Sequence, residues 1–304
     1  TWICQLLDYL EQGAFRNSWD FSKNYYTQTQ QVRTQTIKAL FCPARRAPMA
    51  QDAINGDIMD GQPATSTPYP GALADYAANA GTTGSDYAYT TNPDGTPNTP
   101  TNGVFPLSNP WGLGETVYRT GFRIAEIPDG LSNTFLFGEK HVPITKFGDL
   151  NSRDGAAYNG DKGSSFVGAS ATNLPSKGPT DTRTGCFGSS HSGVVMFVFC
   201  DGSVKAITNS IQGTVYANLA NRMDGLAIRL QIARRILGGQ RTFAQHVEGI
   251  AVVGVVALAA ARQGVVDGPA HHELVAHDAH GLAHGQADRR LAGPADQAAE
   301  GADG

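Results

Sequence analysis

Four polar residues in the chain are of types that perform chemistry in proteins: Asp129, Glu139, His191 and Asp201. Carboxylates combined with an imidazole can bind a divalent cation, or can act as general acid and general base. However, both aspartates precede glycine, and Asp-Gly pairs are common in turns for backbone reasons. His191 also lies beside a Ser/Gly-rich turn. The residue types therefore leave a ligand or metal site open, and they favour a structural role for the histidine.

Known catalytic motifs give no support to an enzymatic interpretation. The sequence contains no nucleophile elbow, zinc-protease motif, phosphate loop or dinucleotide fingerprint. Ser189 and Ser190 lie near His191, but no third triad member or oxyanion hole can be identified. The segment Asn151–Asp161 offers hard oxygen ligands that suit calcium, without the spacing of an EF-hand. We expect no enzymatic activity and no bound cofactor, with calcium left open as the alternative.

His191 and Asp201 lie on either side of a predicted strand. Val194–Phe199 is a run of β-branched, aromatic and sulfur-containing residues, as in a buried strand. Apolar residues resume after Asp201-Gly202, and such a pair between two apolar runs predicts a β-hairpin with a type I′ turn. The pattern places His191 in the loop that enters this hairpin.

Asp129 and Glu139 belong to a second predicted pair of strands. Apolar residues between Phe122 and Ile127 indicate one strand, and Thr134–Phe137 indicates the next. Pro128-Asp129-Gly130 predicts the turn between them. Ser132 and Asn133 follow that turn, where short polar side chains bond local backbone groups.

The start of the chain has a helical pattern. Apolar residues within Trp2–Phe15 recur with a period of 3.6 residues, which predicts one amphipathic helix that ends near Gly13. The segments Ala44–Pro70 and Thr82–Pro110 are rich in Pro, Gly, Thr and Asn and are predicted to be irregular. We place the longer segment, Thr82–Pro110, on the exterior.

Composition excludes several classes of partner. The net charge is −4 and only 16% of residues are charged, so nothing favours binding to nucleic acid or to an anionic membrane surface. The longest apolar run, Ile250–Ala261, is too short for a membrane span, which needs about 20 residues. The four cysteines are Cys4, Cys42, Cys186 and Cys200. We expect them to be buried free thiols, and a disulfide between Cys186 and Cys200 is the alternative.

Several sequence blocks resemble, in order, a large bacterial family of secreted pilin-like proteins with a prepilin-type N-terminal cleavage/methylation signal. The similar blocks are WICQLLDYLEQ followed by LFCP, DYAANAG, IPDGLSNT followed by GEK, DGAAYNGD, and a histidine that is followed by nine residues and then Asp-Gly. Asp8 stands where the family tends to have proline, and Leu131 where it has a small residue. The strongest matches to the family motifs are His191, Asp201, Gly202, Asp129, Gly130, Ser132, Asn133, Thr134, Gly138 and Glu139.

The resemblance implies an α+β, pilin-like globular head with an antiparallel sheet and long irregular loops. It also implies a long apolar N-terminal helix, which we read as truncated here. The expected function is that of a non-enzymatic structural subunit, secreted, on the cell surface or attached to the envelope. Self-assembly or contact with secretion machinery would use the missing helix, so the head is expected to be monomeric.

An extracytoplasmic solute- or carbohydrate-binding module is the alternative. The family has been grouped with extracellular solute-binding proteins, and aromatic residues in the loops have faces that could stack on a sugar. Ordinary loop packing explains the same residues. They are Tyr87, Tyr89, Trp111 and Tyr118.

Residues 226–304 differ in composition from the head, which we assign to residues 1–225. Six of the eight histidines lie between His246 and His284, and Lys, Asn, Tyr, Trp and Cys are absent from this tail. Such a composition is typical of a frameshifted reading frame. A disordered or partly helical appended segment, with a histidine-rich metal-binding tract, is the alternative.

Overall fold

The computed structural model describes residues 1–83, 96–97, 99–105, 122–160 and 162–226. Most of the predicted exterior loop Thr82–Pro110 and all four loop aromatics lie outside these residues. The tail lies outside them too, apart from Leu226. Within the described part of the chain, no helix is long and apolar enough to cross a membrane.

A single five-stranded sheet lies at the centre of the fold, in the order β3-β1-β2-β4-β5. Three neighbouring pairs are antiparallel, but β1 and β3 pair in parallel. The α+β prediction is confirmed, whereas the sheet is mixed and not wholly antiparallel. The strands are β1 Tyr76–Asn79, β2 Phe135–Glu139, β3 Phe166–Val167, β4 Val194–Phe199 and β5 Val204–Thr208.

The predicted hairpin is present as β4 and β5, but its turn differs from the prediction. Phe199 pairs with Ser203, since the Phe199 amide donates to the Ser203 carbonyl over 2.9 Å. Only Gly202 of the Asp201-Gly202 pair has positive φ, at 85°. A type I′ turn needs positive φ at both central residues, so the connection is instead a three-residue loop with glycine in the left-handed position.

A β-bulge in β2 decides which side chains reach each face of the sheet. Phe135 lies opposite Phe199 and Phe137 opposite Val198, so two steps along β2 match one step along β4. The extra residue is Leu136. Phe135 and Phe137 consequently pack into cores on opposite faces, although residues two apart in a regular strand share a face.

The N-terminal segment covers one face of the sheet as separate short helices. These are α1 Trp2–Gln5 and α2 Gly13–Ser18, with a 3₁₀ turn at Asp8–Leu10 between them; α3 Gln30–Arg33 follows. The prediction of one continuous helix is therefore wrong. Glu11 adopts left-handed φ of 58°, which ends the first helical stretch, and Gly13 begins α2 instead of terminating a helix. The apolar pattern itself is used, since the Trp2 ring lies 4.4 Å from that of Phe137.

The opposite face is covered by α4, Gly213–Ala220. Its Tyr216 and Leu219 are fully buried against Phe135 and Phe197. Burial of each such large side chain contributes about 1.5–3 kcal/mol. The fold is therefore a sheet between two helical or irregular layers, with an apolar core on each side.

The strand predicted before the Pro128-Asp129-Gly130 turn is absent. Residues Ile124–Glu126 form a 3₁₀ turn, in which the Arg123 amide donates to the Glu126 carboxylate over 2.8 Å. Ile124 is 51% exposed, so the apolar residues of this segment do not form the buried alternating face that a strand requires.

All four cysteines are buried and free. The disulfide between Cys186 and Cys200 that the sequence left open is not formed.

Candidate functional site

The four candidate chemical residues separate into two pairs at opposite ends of the sheet. Strand β4 lies between His191 and Asp201, and its five residue steps span about 17 Å. The Asp201 amide donates to the Leu131 carbonyl over 3.1 Å, which places Asp201 near Asp129. Glu139 lies at the other end, 3.4 Å from His191. No single site contains all four residues.

At the first end, Asp129 holds the C-terminal part of the head. Its two carboxylate oxygens accept hydrogen bonds of 2.7 Å from the amides of Asp224 and Gly225. Asp129 is only 5% exposed, so both of its carboxylate oxygens are used inside the protein. Burial and the neighbouring Asp129 carboxylate both raise the pKa of Asp224. Asp129 therefore joins two segments that are distant in sequence.

The residues after Asp129 complete this turn. The Asn133 side-chain amide donates to the Asp129 carbonyl over 2.9 Å, and the Thr134 hydroxyl donates to the Gly130 carbonyl over 3.1 Å. Gly130 has φ of 92°, a conformation that favours glycine. The Ser132 carbonyl accepts a hydrogen bond of 2.7 Å from the Lys205 ammonium. These motif residues shape the entry into β2.

Asp201 has a local role in the hairpin loop. Its carboxylate accepts hydrogen bonds from the Ser203 amide, over 2.9 Å, and from the Ser203 hydroxyl, over 2.6 Å. Asp201 is exposed to solvent. The sequence prediction that Asp201 and Gly202 are turn residues agrees with this geometry.

Gly138 is required by packing in the middle of the sheet. A Cβ atom at this position would lie 2.5 Å from the Phe197 ring and 2.8 Å from the Phe187 ring. Both rings are fully buried, so neither has free space to move into. Glycine lets two aromatic rings cover the backbone of β2, and it lies directly before Glu139.

At the second end, three potential metal ligands converge: Cys42, Glu139 and His191. The His191 Nε2 atom lies 3.4 Å from Glu139 Oε1 and 3.6 Å from Cys42 Sγ. Cys42 and Glu139 are 1% exposed, whereas the His191 side chain is 19% exposed. Two of the three potential ligands are thus buried, and the third reaches solvent.

Backbone contacts fix each member of this cluster. The second carboxylate oxygen of Glu139 accepts a hydrogen bond of 2.9 Å from the Met196 amide. The His191 amide donates to the buried Ser189 hydroxyl over 2.9 Å, and the Cys42 amide donates to Asp75 over 2.9 Å. The side chains are therefore held by strands and a loop whose positions the sheet determines.

The electrostatics of the cluster favour an ionised Glu139 and a protonated Cys42. Burial raises the pKa of Glu139, but His191, Arg45 and the Met196 amide outweigh it and hold this pKa below its ordinary value. Burial, together with the Glu139 carboxylate, raises the pKa of the Cys42 thiol far above its ordinary value. Without a bound cation, Cys42 is therefore a neutral thiol at neutral pH.

A buried ion-pair network lies beside the cluster. Arg46 forms an ion pair of 2.7 Å with Asp75 and also donates to Asp154 through its two terminal guanidinium nitrogens. Asp154 also accepts 3.2 Å from Lys140, and Arg45 lies 3.4 Å from Asp75. All five side chains are at most 4% exposed. The network thus contains three cations and two carboxylates, and the Glu139 carboxylate of the cluster lies beside it.

The pKa shifts in this network follow from the pairing. Burial raises the pKa of Asp154, but Lys140 and Arg46 outweigh burial and hold it at about 2. Burial lowers the pKa of Lys140, although Asp154 opposes this effect. For Arg46, burial is outweighed by Asp154 and Asp75, and its pKa is raised. Asp154 and Arg46 are therefore both ionised at neutral pH, and their pairing contributes to a fixed arrangement of the surrounding loops.

The sequence predictions did not identify six members of this cluster and network: Cys42, Arg45, Arg46, Asp75, Lys140 and Asp154. Cys42 and Asp75 lie in blocks that resemble the family, and Arg45 follows the Cys-Pro block. A detectable signal was present, namely charged residues next to strongly apolar segments in LFCPARR and ALADYAA. Their partners lie far away in sequence and could not be identified from it.

Two buried polar side chains of the segment proposed for calcium have partners within the protein. Asp154 pairs with Arg46 and Lys140, and the Asn159 amide donates 2.7 Å to Asp57. Asp161 lies outside the described residues. Calcium binding at Asn151–Asp161 stays a prediction.

A family model described as "Protein of unknown function (DUF1559)" matches residues 1–214, well over half of the chain. No curated protein and no solved structure shows significant similarity to the chain. The match covers the N-terminal layer, the whole sheet and both ends of it, including the Cys42–Glu139–His191 cluster. The chain therefore belongs to the DUF1559 family of proteins of unknown function.

Proposed function

We propose that this chain supplies the globular head of a non-enzymatic, pilin- or pseudopilin-like structural subunit that is secreted or attached to the cell envelope. The observation that carries the proposal is the use of the motif residues around Asp129 and Asp201. Their side chains bond to the chain's own backbone and fix turns and strand ends. Such a use is typical of residues selected to maintain a fold.

The packing of the N-terminal segment gives further support. Trp2, Ile3 and Leu7 are buried on the sheet, and the Trp2 indole donates 3.1 Å to the Ser165 carbonyl. The N-terminal segment is therefore part of the packed head. The resemblance to proteins with a prepilin-type signal implies that such a head carries a longer apolar helix. Self-assembly or contact with secretion machinery would depend on it.

The surface pocket next to Arg222 gives no specific support to solute binding. It has a volume of about 410 Å³ and is lined in part by Asn102, Phe122 and Arg222. Arg222 donates 2.9 Å to the carbonyls of both Thr101 and Gly103, so its charge holds backbone in place. The guanidinium also lies 3.5 Å from the centre of the Phe122 ring.

Localisation and processing in the source cell test the proposal directly. Antibodies against the head should detect the native product in the envelope or in the fraction sheared from the surface. The product should be shortened at its N-terminus in a manner that requires the prepilin peptidase. A full-length product confined to the cytoplasm would contradict the proposal.

Ligand binding provides a separate test against the solute-binding alternative. A structural subunit should show no saturable change in melting temperature with sugars, amino acids or short peptides. Ligand at 100 times its dissociation constant would stabilise a true binding protein by about 2.7 kcal/mol, which a thermal-shift assay resolves. Saturable stabilisation by one ligand class would favour the binding module.

A further inference from the structure

We propose that Cys42, Glu139 and His191 form a binding site for a divalent transition-metal cation, with Zn²⁺ as the ion that fits best. The inference goes beyond the structural-subunit proposal, because that proposal rests on the residues around Asp129 and Asp201. That proposal does not explain why the Cys42, Glu139 and His191 side chains converge. The metal-site inference rests on the spacing, chemistry, charge and accessibility of the three side chains.

The two distances from the His191 nitrogen to the other ligand atoms match those at a tetrahedral zinc ion. Zinc lies about 2.0–2.1 Å from imidazole nitrogen, about 2.0–2.2 Å from carboxylate oxygen and about 2.3 Å from sulfur. Tetrahedral angles then place nitrogen about 3.4 Å from oxygen and about 3.6 Å from sulfur. The distances from His191 Nε2 are 3.4 Å to Glu139 Oε1 and 3.6 Å to Cys42 Sγ. The Cys42, Glu139 and His191 ligand atoms all lie within 4.8 Å of one another.

The donor types select zinc over calcium or magnesium. A thiolate and an imidazole are poor ligands for the hard cations, which prefer oxygen, but they suit zinc and its neighbours. Three protein ligands leave the fourth tetrahedral position for water. Because the His191 side chain is 19% exposed, an ion can reach the site from solvent on that side.

The charges of the site also balance with zinc in place. Binding breaks the Cys42 S–H bond, forms a sulfur–zinc bond and releases the proton to solvent. A dication with the Cys42 thiolate and the Glu139 carboxylate then has no net charge. Arg45, whose charge also acts on Glu139, pairs with Asp75 and donates a hydrogen bond of 2.7 Å to the Gly188 carbonyl, so it has partners other than Glu139.

The ligands belong to segments that are far apart in the chain. Cys42 follows the 3₁₀ turn Lys38–Leu40 of the N-terminal layer, Glu139 ends β2, and His191 lies in the loop before β4. The Met196 amide orients the Glu139 carboxylate, as outer contacts do at metal sites, and hydrogen bonds from the backbone amides of His191 and Cys42 fix the backbone at the other two ligands. Zinc would therefore connect the N-terminal layer to the sheet, where no disulfide does so.

Titration of the reduced full chain with Co²⁺, a spectroscopic substitute for zinc, tests the proposal. One equivalent should give a thiolate-to-cobalt charge-transfer band in the near ultraviolet and tetrahedral visible bands, both displaced by Zn²⁺. The tail contains six histidines but no cysteine, so cobalt bound there cannot give the thiolate band. Cys42→Ser should abolish this band, and His191→Gln should weaken cobalt binding at least about 10-fold.

Matched variants separate the site from general effects. Cys200→Ser removes another buried thiol and should retain the band, as should His141→Gln, which changes a buried histidine outside the cluster. If Cys42→Ser fails to give native near-ultraviolet circular dichroism, His191→Gln carries the test, because the His191 side chain is partly exposed and its replacement disturbs packing less. Absence of the thiolate band in the unmodified protein, or equal affinity in His191→Gln, overturns the proposal.

Discussion

Substitution of Asp154 by asparagine tests whether the buried ion-pair network stabilises the head. The carboxylate of Asp154 accepts from Arg46, from Lys140 and, over 2.8 Å, from the Gly148 amide. Asparagine keeps the size of the side chain but removes the carboxylate that two buried cations share, so Lys140 loses its paired carboxylate and Arg46 retains Asp75. Removal of one member of a buried ion pair costs about 3–5 kcal/mol, so we expect Asp154→Asn to lower the free energy of unfolding by that amount at pH 7.

The same substitution should change how stability depends on pH. The pKa of Asp154 is lowered from 3.8 to about 2. Because the folded-state pKa lies below the unfolded-state value, this stabilisation is present above about pH 4 and is lost as pH falls through about 2. It amounts to about 2.5 kcal/mol. The stability difference between the native protein and Asp154→Asn should therefore shrink by about that amount between pH 5 and pH 2.

Urea unfolding followed by tryptophan fluorescence measures both effects, because Trp2 and Trp19 are buried in the N-terminal layer. Asp60→Asn is the matched control. Asp60 also pairs with a lysine, Lys162, but its side chain is 71% exposed, so its loss should cost at most about 1 kcal/mol. Equal costs for the two variants, or an unchanged difference at low pH, would refute the reasoning.

Three further predictions concern single residues. Gly138→Ala should destabilise the head by about 1–3 kcal/mol in the same urea assay, because the new methyl group overlaps the Phe197 and Phe187 rings. Gly160→Ala is the control, and it should be close to neutral because no atom lies near the added Cβ. Asp129→Ala should lower the free energy of unfolding by about 2–3 kcal/mol and speed proteolysis beyond residue 220, because two backbone amides lose their acceptor. Asp201→Asn should change the free energy of unfolding by less than about 0.5 kcal/mol. Similar effects of the two substitutions would contradict the roles assigned to these residues. Burial raises the pKa of Cys186 to about 11, so alkylation of this thiol at pH 8 should be slow in the native protein. After unfolding, alkylation should modify four free thiols. Detection of a disulfide by mass spectrometry would contradict this prediction.

Local patterns predicted the elements whose structure depends on neighbouring residues. The β4–β5 hairpin was predicted because apolar strands and an Asp-Gly turn are encoded within a few residues. The exact turn was wrong, since Asp-Gly fits both a two-residue and a three-residue loop. The single N-terminal helix was also wrong, because periodicity reports which side chains are buried and not where a left-handed residue such as Glu11 interrupts the helix.

The candidate site could be predicted only in part, because it depends on contacts between distant segments. Glu139 and His191 were identified as candidates, but Asp129 and Asp201 belong to the other end of the sheet. The third member, Cys42, lies 149 residues from His191 in sequence. Nothing local to Cys42 indicates that partner. The parallel strand β3 was not predicted for a similar reason: it has two residues, too few to show any alternation.

The bulge at Leu136 has a consequence for changes in chain length. Since Leu136 is the surplus residue of β2, its deletion would restore one-to-one pairing with β4 and keep Phe135 opposite Phe199 and Phe137 opposite Val198. Deletion of Gly138, at a regular position, would instead move Phe137 into the opposite core. Tolerance to deletion in this strand is therefore confined to the bulge, and a natural homologue one residue shorter there would keep the same two cores.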